Sequence, residues 1–305
     1  MKNIISSATV SNKRGLLMPF ILFSVLIIAL VVFWFSESKK DKTEKIELIE
    51  SSNKLHDISV VFISAGRADS ILVLVDGKNY LIDTGLSKSV PAIKNVLMKY
   101  NVDKLDAVFI THGHKDHLGG LKKISKSYDI GRLYTAGISM YGENGKTPVE
   151  KSADKLNLKL DKLSAGDRVK IADELYFEVI GPLVCNNDDE NDNSLVLRLY
   201  VNGKVFLFAG DMQFAEEGVL LKNKIDVSAD ILKVGNHGNP DATSDEFAKA
   251  VSPEIAVITT DTGEDGNSAN ERVKRLFDKV YLTQDYKYGV KVTVKENGEI
   301  VVEDA

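Results

Sequence analysis

From residue 57 onward the chain alternates between two hydrophobic periods. DISVVFI (57–63), SILVLV (70–75), YLID (80–83) and LDAVFIT (105–111) are short apolar runs that read as buried strands, and SVPAIKNVLMKY (89–100) carries the spacing of a helix. The pattern returns further on: SLVLRLYV (194–201), KVFLFAG (204–210), ADILKVG (229–235) and EIAVITT (254–260) read as strands, with helices at QFAEEGVLL (213–221) and TSDEFAKAV (243–251) between them. Strands that are apolar at nearly every position need cover on both faces. The expectation is therefore an α/β domain in four layers, an αββα sandwich of two mixed sheets with helices outside. No short sequence repeat occurs, so any likeness between the halves lies in the order of elements.

A different pattern precedes that domain. Residues 16–35, LLMPFILFSVLIIALVVFWF, form an uncharged apolar run of 20 residues, the length a helix needs to cross a hydrocarbon core of about 30 Å. The run closes on FWFSES (33–38) instead of a small-residue cleavage site, which favours an uncleaved signal anchor. The organisation read from this is a cytoplasmic tail (1–15), one transmembrane helix (16–36), a charged tether (37–55) and a hydrolase domain (56–305). Lysines and arginine flank both ends of the span and do not fix its orientation. A short N-terminal tail is most simply left inside, which puts the domain outside the cytoplasm on a single-pass cell-membrane protein.

Composition narrows the chemistry. One cysteine, Cys185, excludes an internal disulfide and any CxxC metal motif, so a metal site here uses nitrogen and oxygen ligands. From residue 57 on, 31 Lys and Arg stand against 39 Asp and Glu, a net charge of −8. That sign opposes holding nucleic acid by the general surface, so a nucleic-acid partner would require a local site.

Three of the five histidines fall in THGHKDHLGG (111–120), directly after the strand LDAVFIT. Ligands gather at the C-terminal ends of strands in open α/β sheets, and imidazole with carboxylate is a common donor set for divalent transition metals. His112 and His114, one residue apart on an extended loop, can point at one ion, while Asp116 and His117 can reach a second. A purely structural role for the whole cluster is disfavoured.

The HxHxDH motif formed by His112, His114, Asp116 and His117 resembles that of the metallo-β-lactamase fold, in the variant found in the C-terminal domain of ComEC competence proteins. The resemblance runs from about residue 57 to 303. It is carried further by SAGRADSIL (64–72), with Ala68 in place of a glycine, by LIDTG (81–85), by NSLVLRL (193–199), by Gly210 and Asp211, and by LKVGNHG (232–238). It implies a hydrolase with two divalent ions, zinc or manganese. His112 and His114 would hold the first, Asp116, His117 and His237 the second, and Asp211 would bridge them. Asp83 would orient the histidine loop through a hydrogen bond, and Asp69 and Ser70 would support it. TQDYKYG (283–289) resembles a strand pair of the family.

Three departures from the family pattern stand out. No third histidine is at hand for the first ion, because His56 is placed just ahead of the folded part, which is expected to begin near Asp57; the acidic loop NNDDENDN (186–193) offers Asp192 or Asn193 instead, and an oxygen-rich site would favour manganese or magnesium. Asn236 stands where a histidine is frequent, leaving it able to donate a hydrogen bond to substrate but not to move protons. The candidate lid segments are 137–153, with Tyr141, and 261–270, and the second lacks a histidine common in this family.

Two ions about 3.5–4 Å apart activate water against a phosphodiester, with Asp116 positioning the nucleophile. Lys115 and Lys233 are candidates for contacting phosphate. The expected activity is thus a membrane-tethered, metal-dependent phosphodiesterase acting on nucleic acid or a nucleotide. A hydrolase of a carbon ester, lactone or choline phosphoester, and a binding domain with a structural metal, are the alternatives.

Overall fold

The computed structural model describes residue 56 and residues 58–141, 145–265 and 271–305. The apolar run at 16–36, the tether at 37–55 and parts of both lid segments (142–144 and 266–270) lie outside the described residues. Among the described residues no helix is long and apolar enough to cross a membrane.

Strands run in chain order as β1 (Ile58–Ile63), β2 (Ile71–Val75), β3 (Lys78–Ile82), β4 (Lys104–Leu105), β5 (Ala107–Ile110), β6 (Asp129–Ile130), β7 (Leu133–Ala136), β8 (Leu160–Leu163), β9 (Arg168–Ala172), β10 (Leu175–Gly181), β11 (Val196–Val201), β12 (Lys204–Phe208), β13 (Ile231–Lys233), β14 (Ile255–Ile258), β15 (Val280–Leu282), β16 (Gly289–Val294) and β17 (Ile300–Asp304). One sheet is ordered β17-β16-β1-β2-β3-β5-β7-β8, the other β15-β14-β13-β12-β11-β10-β9, and β4 pairs with β6 apart from both. Each large sheet is mixed. The hairpin-linked strands β1, β2 and β3 pair antiparallel and then β5, β7 and β8 add in parallel; β10, β11 and β12 likewise precede parallel β13, β14 and β15. The likeness of the halves in element order is thus real.

The fully apolar strands are explained by the layers. In β1, Val60 and Phe62 join the cluster between the sheets, where Phe109, Phe177, Leu197 and Phe206 also lie, while Val61 and Ile63 face the opposite way into a second cluster. That second cluster is closed by helices Val90–Lys99, Leu121–Ile124 and Pro148–Leu156, and a third, on the outer face of the other sheet, by helices Phe214–Lys222 and Asp245–Val251. Phe177 is the hinge of the central layer: its ring meets Phe109 edge-on at 4.9 Å and Phe208 at 6.1 Å.

Two expectations are corrected here. TQDYKYG forms a 3-10 turn, Thr283–Asp285, followed by a bend, and only Gly289 enters a strand; Tyr286 and Tyr288 pack against the cores. His56 belongs to the folded domain. It is buried, its backbone exchanges hydrogen bonds with the Asn202 side chain, and its Nδ1 lies 2.7 Å from Asp76 Oδ2. Asp76 and Asn202 sit in the β2–β3 and β11–β12 turns, at the sheet end opposite the histidine motif, so His56 cannot serve as the missing ligand.

Candidate metal centre

The histidine motif leaves β5 at its C-terminal end, and the chain folds tightly against the end of β3. Gly120 allows this: a Cβ there would stand 2.0 Å from the Thr84 carbonyl oxygen. Thr84 donates its backbone N–H and its hydroxyl to the His117 carbonyl, both at 2.7 Å. Asp83, at φ +60, accepts from the Thr111 amide, the Thr111 hydroxyl and His117 Nδ1, each at 2.8 Å. From the other sheet, Gly210 after β12 adopts φ +54, and a Cβ there would meet Ser194 Cβ at 2.8 Å. The turn after β13 carries Asn236 and His237 at φ 43 and 53, two successive left-handed residues that are not glycine. Such strain persists where surroundings enforce it. His237 Nδ1 donates to the Thr259 carbonyl at 2.8 Å, and the Asn236 amide to the Gly210 carbonyl at 3.2 Å.

These elements bring Asp116, His117, Asp211 and His237 together, with one donor atom of each within 4.8 Å of all the others. His117 Nε2 is 3.0 Å and His237 Nε2 3.3 Å from Asp211 Oδ2, and His237 Nε2 is 3.5 Å from Asp116 Oδ2. Both imidazoles have Nδ1 tied to a protein acceptor, so Nε2 is the nitrogen turned to the cluster. His112 and His114 adjoin it, with 3.0 Å between His112 Nε2 and His114 Nδ1 and 4.0 Å from His112 Nε2 to Asp211 Oδ2.

The electrostatics fit a cation. Burial alone would raise the carboxyls of Asp211 and Asp116, yet the imidazoles of His117 and His237 hold both well below the ordinary range. Burial opposes charge on His237, but Asp211 and Asp69 push it up to about 9. Burial and the neighbouring His117 keep His112 well below its usual value, in the neutral form a ligand requires. Asp211 Oδ1 is buried and accepts no hydrogen bond among the described residues. A divalent ion supplies the positive charge that this donor set attracts.

Behind the cluster lies a second group, Asp69, Asp83 and His117. Its carboxylates are already engaged. Asp69 accepts from the Thr259 hydroxyl and pairs with Lys233, and its backbone N–H donates to the Asp116 carbonyl at 3.2 Å. This layer positions the ligands. Ser70 is fully buried beside it, and among the described residues its hydroxyl has no hydrogen-bond partner.

Several expectations change. Lys233 does not contact substrate: it is buried, donates to the Gly210 carbonyl at 2.7 Å and lies 3.6 Å from Asp211 Oδ1. Burial works against its charge, and the Asp69 and Asp211 carboxylates override that. The Asn236 side-chain amide is buried in its own turn, donating to Asp241 Oδ1 at 3.2 Å and accepting from Asn239 Nδ2 at 3.3 Å. Asn193 and Asp192 do not complete the first ion's shell. The Asn193 amide bonds Asn186 and Glu190, and Asp192 caps helix Phe214–Lys222 by accepting from the amides of Gln213 and Glu216. The acidic loop is therefore bonded internally at Asn186, Asp189, Glu190, Asp192 and Asn193, with Asn187 and Asp188 exposed. Lys115 is exposed.

Three further residues stand at the site without a distinctive signal in the sequence. Ser194 Oγ lies 3.3 Å from His112 Nδ1 and accepts the Asp211 amide at 3.0 Å. Thr259 fixes both His237 and Asp69; a hydroxyl at the end of an apolar strand was its only signal. Arg67, half-buried, places a guanidinium nitrogen 3.8 Å from Asp116 Oδ2, at the partly exposed side of the cluster.

A match to the metallo-beta-lactamase superfamily spans residues 63–260. The chain is similar to ComE operon protein 3 of Bacillus subtilis (strain 168), 27% identical over 175 residues, covering 57% of this chain and 22% of that one. It is also similar to competence protein ComA of Neisseria gonorrhoeae, 28% identical over 207 residues, covering 67% of this chain and 27% of that one. The matches thus span about a quarter of either relative. Among solved structures, a diphosphatase from the PhnP family superposes with a TM-score of 0.50 at 14% identity, covering 82% of this chain and 99% of that one.

Proposed function

The chain belongs to the metallo-beta-lactamase superfamily as a metal-dependent hydrolase with ComEC-type relatives, and from that premise we propose that it hydrolyses phosphodiesters at the cluster of Asp116, His117, Asp211 and His237. The observation that carries this reading is the pairing of a dense, largely buried cation site with a guanidinium 3.8 Å from Asp116, its partly exposed member. A diester anion needs both: a cation for the reacting centre and a hydrogen-bonding positive charge for a non-bridging oxygen.

Asp116, His117, Asp211 and His237 would hold one divalent ion, and His112 and His114 would offer two nitrogens toward a second; such ions would supply Lewis acidity and lower the pKa of water. The remaining roles fall to the protein's own groups. Asp116 is the partly exposed member of the cluster, and its carboxylate orients the attacking water by accepting a hydrogen bond. Arg67 receives the phosphate oxygen and shields it from the Asp116 charge. Asp83, Thr259 and Asp69 keep the imidazoles from turning.

The same proposal places the domain on a membrane through the apolar run at 16–36, facing away from the cytoplasm; carbonate extraction and protease protection of intact cells test that part. For the chemistry, the panel is bis(p-nitrophenyl) phosphate, p-nitrophenyl phosphate and p-nitrophenyl acetate. Preference for the diester supports the proposal. Turnover of the carboxylic ester alone moves the assignment to ester or lactone hydrolysis.

A further inference from the structure

Glu190 is a buried carboxylate that takes no part in the metal centre. It opens the 3-10 helix Glu190–Asn193, is 3% exposed, and has three donors converging on it: the Ser139 hydroxyl at 2.6 Å and the Met140 amide at 2.9 Å from one segment, and Asn193 Nδ2 at 3.1 Å from its own turn. Ser139, its proton given to Glu190, accepts the Tyr141 amide at 3.3 Å. One carboxylate thus orders three consecutive residues that lie far from it in the chain.

Both segments that Glu190 joins border the metal centre. Ser139–Tyr141 follows β7, which pairs in parallel with β5, so it leaves the sheet beside the histidine motif. Further along the same connection Pro148 seats against that motif, where a Cβ on Gly113 would lie 3.1 Å from Pro148 Cγ. On the other side, Asn193 is followed by Ser194, whose Oγ accepts the Asp211 amide at 3.0 Å and lies 3.3 Å from His112 Nδ1. A buried carboxylate is costly without partners, and the partners of Glu190 come from these two segments together. Separating them would strand it.

We propose that Glu190 is a positioning residue for substrate: it fixes the segment after β7 against the loop that carries Ser194, and so holds the surface beside His112 and His114 in the shape that receives the diester. The inference rests on the phosphodiesterase reading and adds to it a residue that touches neither metal nor substrate.

The test uses the full chain in detergent and the variants Glu190→Gln, Ser139→Ala and the two combined. A carboxamide offers one accepting oxygen to the three donors, and the alanine removes one donor while leaving Glu190 and Asn193 in place. Either change raises KM for bis(p-nitrophenyl) phosphate by about three- to tenfold, with kcat and metal content at the parental values. The double variant goes no further than Glu190→Gln alone, because the Ser139 contribution runs through Glu190. Amide hydrogen exchange on the same proteins quickens about tenfold, at Tyr141 in Ser139→Ala and at both Met140 and Tyr141 in Glu190→Gln. Parental KM in the single variants, effects that add in the double variant, or a fall in kcat or metal content overturns the positioning role. Should Glu190→Gln fail to fold, Ser139→Ala alone decides by the same KM and exchange. A parent without diester turnover refutes the hydrolytic reading instead, and exchange then decides whether Glu190 pins the two segments together.

Discussion

Asp83 Oδ2 accepts a hydrogen bond from His117 Nδ1 at 2.8 Å, and that contact turns His117 Nε2 to 3.0 Å from Asp211 Oδ2. A residue at the end of β3 thereby sets the direction of a ligand on the loop after β5. Asp83→Asn keeps a side chain that tolerates φ +60 but removes the charge that holds the ring. Metal affinity falls by about 10- to 100-fold, measured by competition with a chromogenic chelator, while the circular dichroism spectrum is retained.

The two halves of the motif are unequal. Asp116, His117, Asp211 and His237 form a four-donor site, whereas His112 and His114 have Ser194 and Thr111 behind them, and the His117 ring and Asp211 carboxylate beside His112 already belong to the four-donor site. Mass spectrometric metal analysis after dialysis accordingly finds about one tightly held ion per chain. His112→Ala retains that ion and His237→Ala loses it. Two ions resistant to dialysis would contradict the assignment.

Under the proposed phosphodiesterase function Arg67 acts on substrate rather than on metal. Arg67→Ala raises KM for a diester by about tenfold or more, as expected for loss of a charge-assisted hydrogen bond, with metal content unchanged. Arg67→Lys recovers part of the loss because it keeps the charge without the planar fork.

Glu216 makes stability depend on pH. Burial, with the Asp192 charge adding to it, pushes its carboxyl from 4.5 up to about 7, although it accepts the Leu183 amide at 2.7 Å. The folded chain thus retains a proton that the unfolded chain releases. This contribution to stability is complete below about pH 4.5 and is lost as pH rises through about 7. Glu216→Gln keeps the acceptor and stays neutral. Its melting temperature, measured in chelator from pH 5 to 8, gains on the parent as pH rises; a constant difference would show that Glu216 does not carry the effect.

Much of this was legible in the sequence where local pattern and burial agree. Runs such as DISVVFI are apolar on both faces because each face meets a different core, and the ligands His117, Asp116, Asp211 and His237 stood in motifs at strand ends. Strands β8 and β9, by contrast, carry alternating charges such as Asp161, Arg168 and Lys170 near sheet edges, so their apolar signal is weak. Lys233 misled because sequence does not reveal that Asp69, 164 positions away, supplies its counter-charge. Asn193 misled for the converse reason: a polar loop can satisfy itself. Arg67 and Thr259 meet the cluster only through tertiary folding.

The most direct test reads metal occupancy and hydrolysis of bis(p-nitrophenyl) phosphate on the same samples, as manganese or zinc is added back to chelator-treated protein, with Asp116→Ala alongside. Turnover that rises with occupancy of the site and is absent from the variant is the expected result. A filled site with no turnover under either metal would contradict the account and leave the cluster as a structural metal centre.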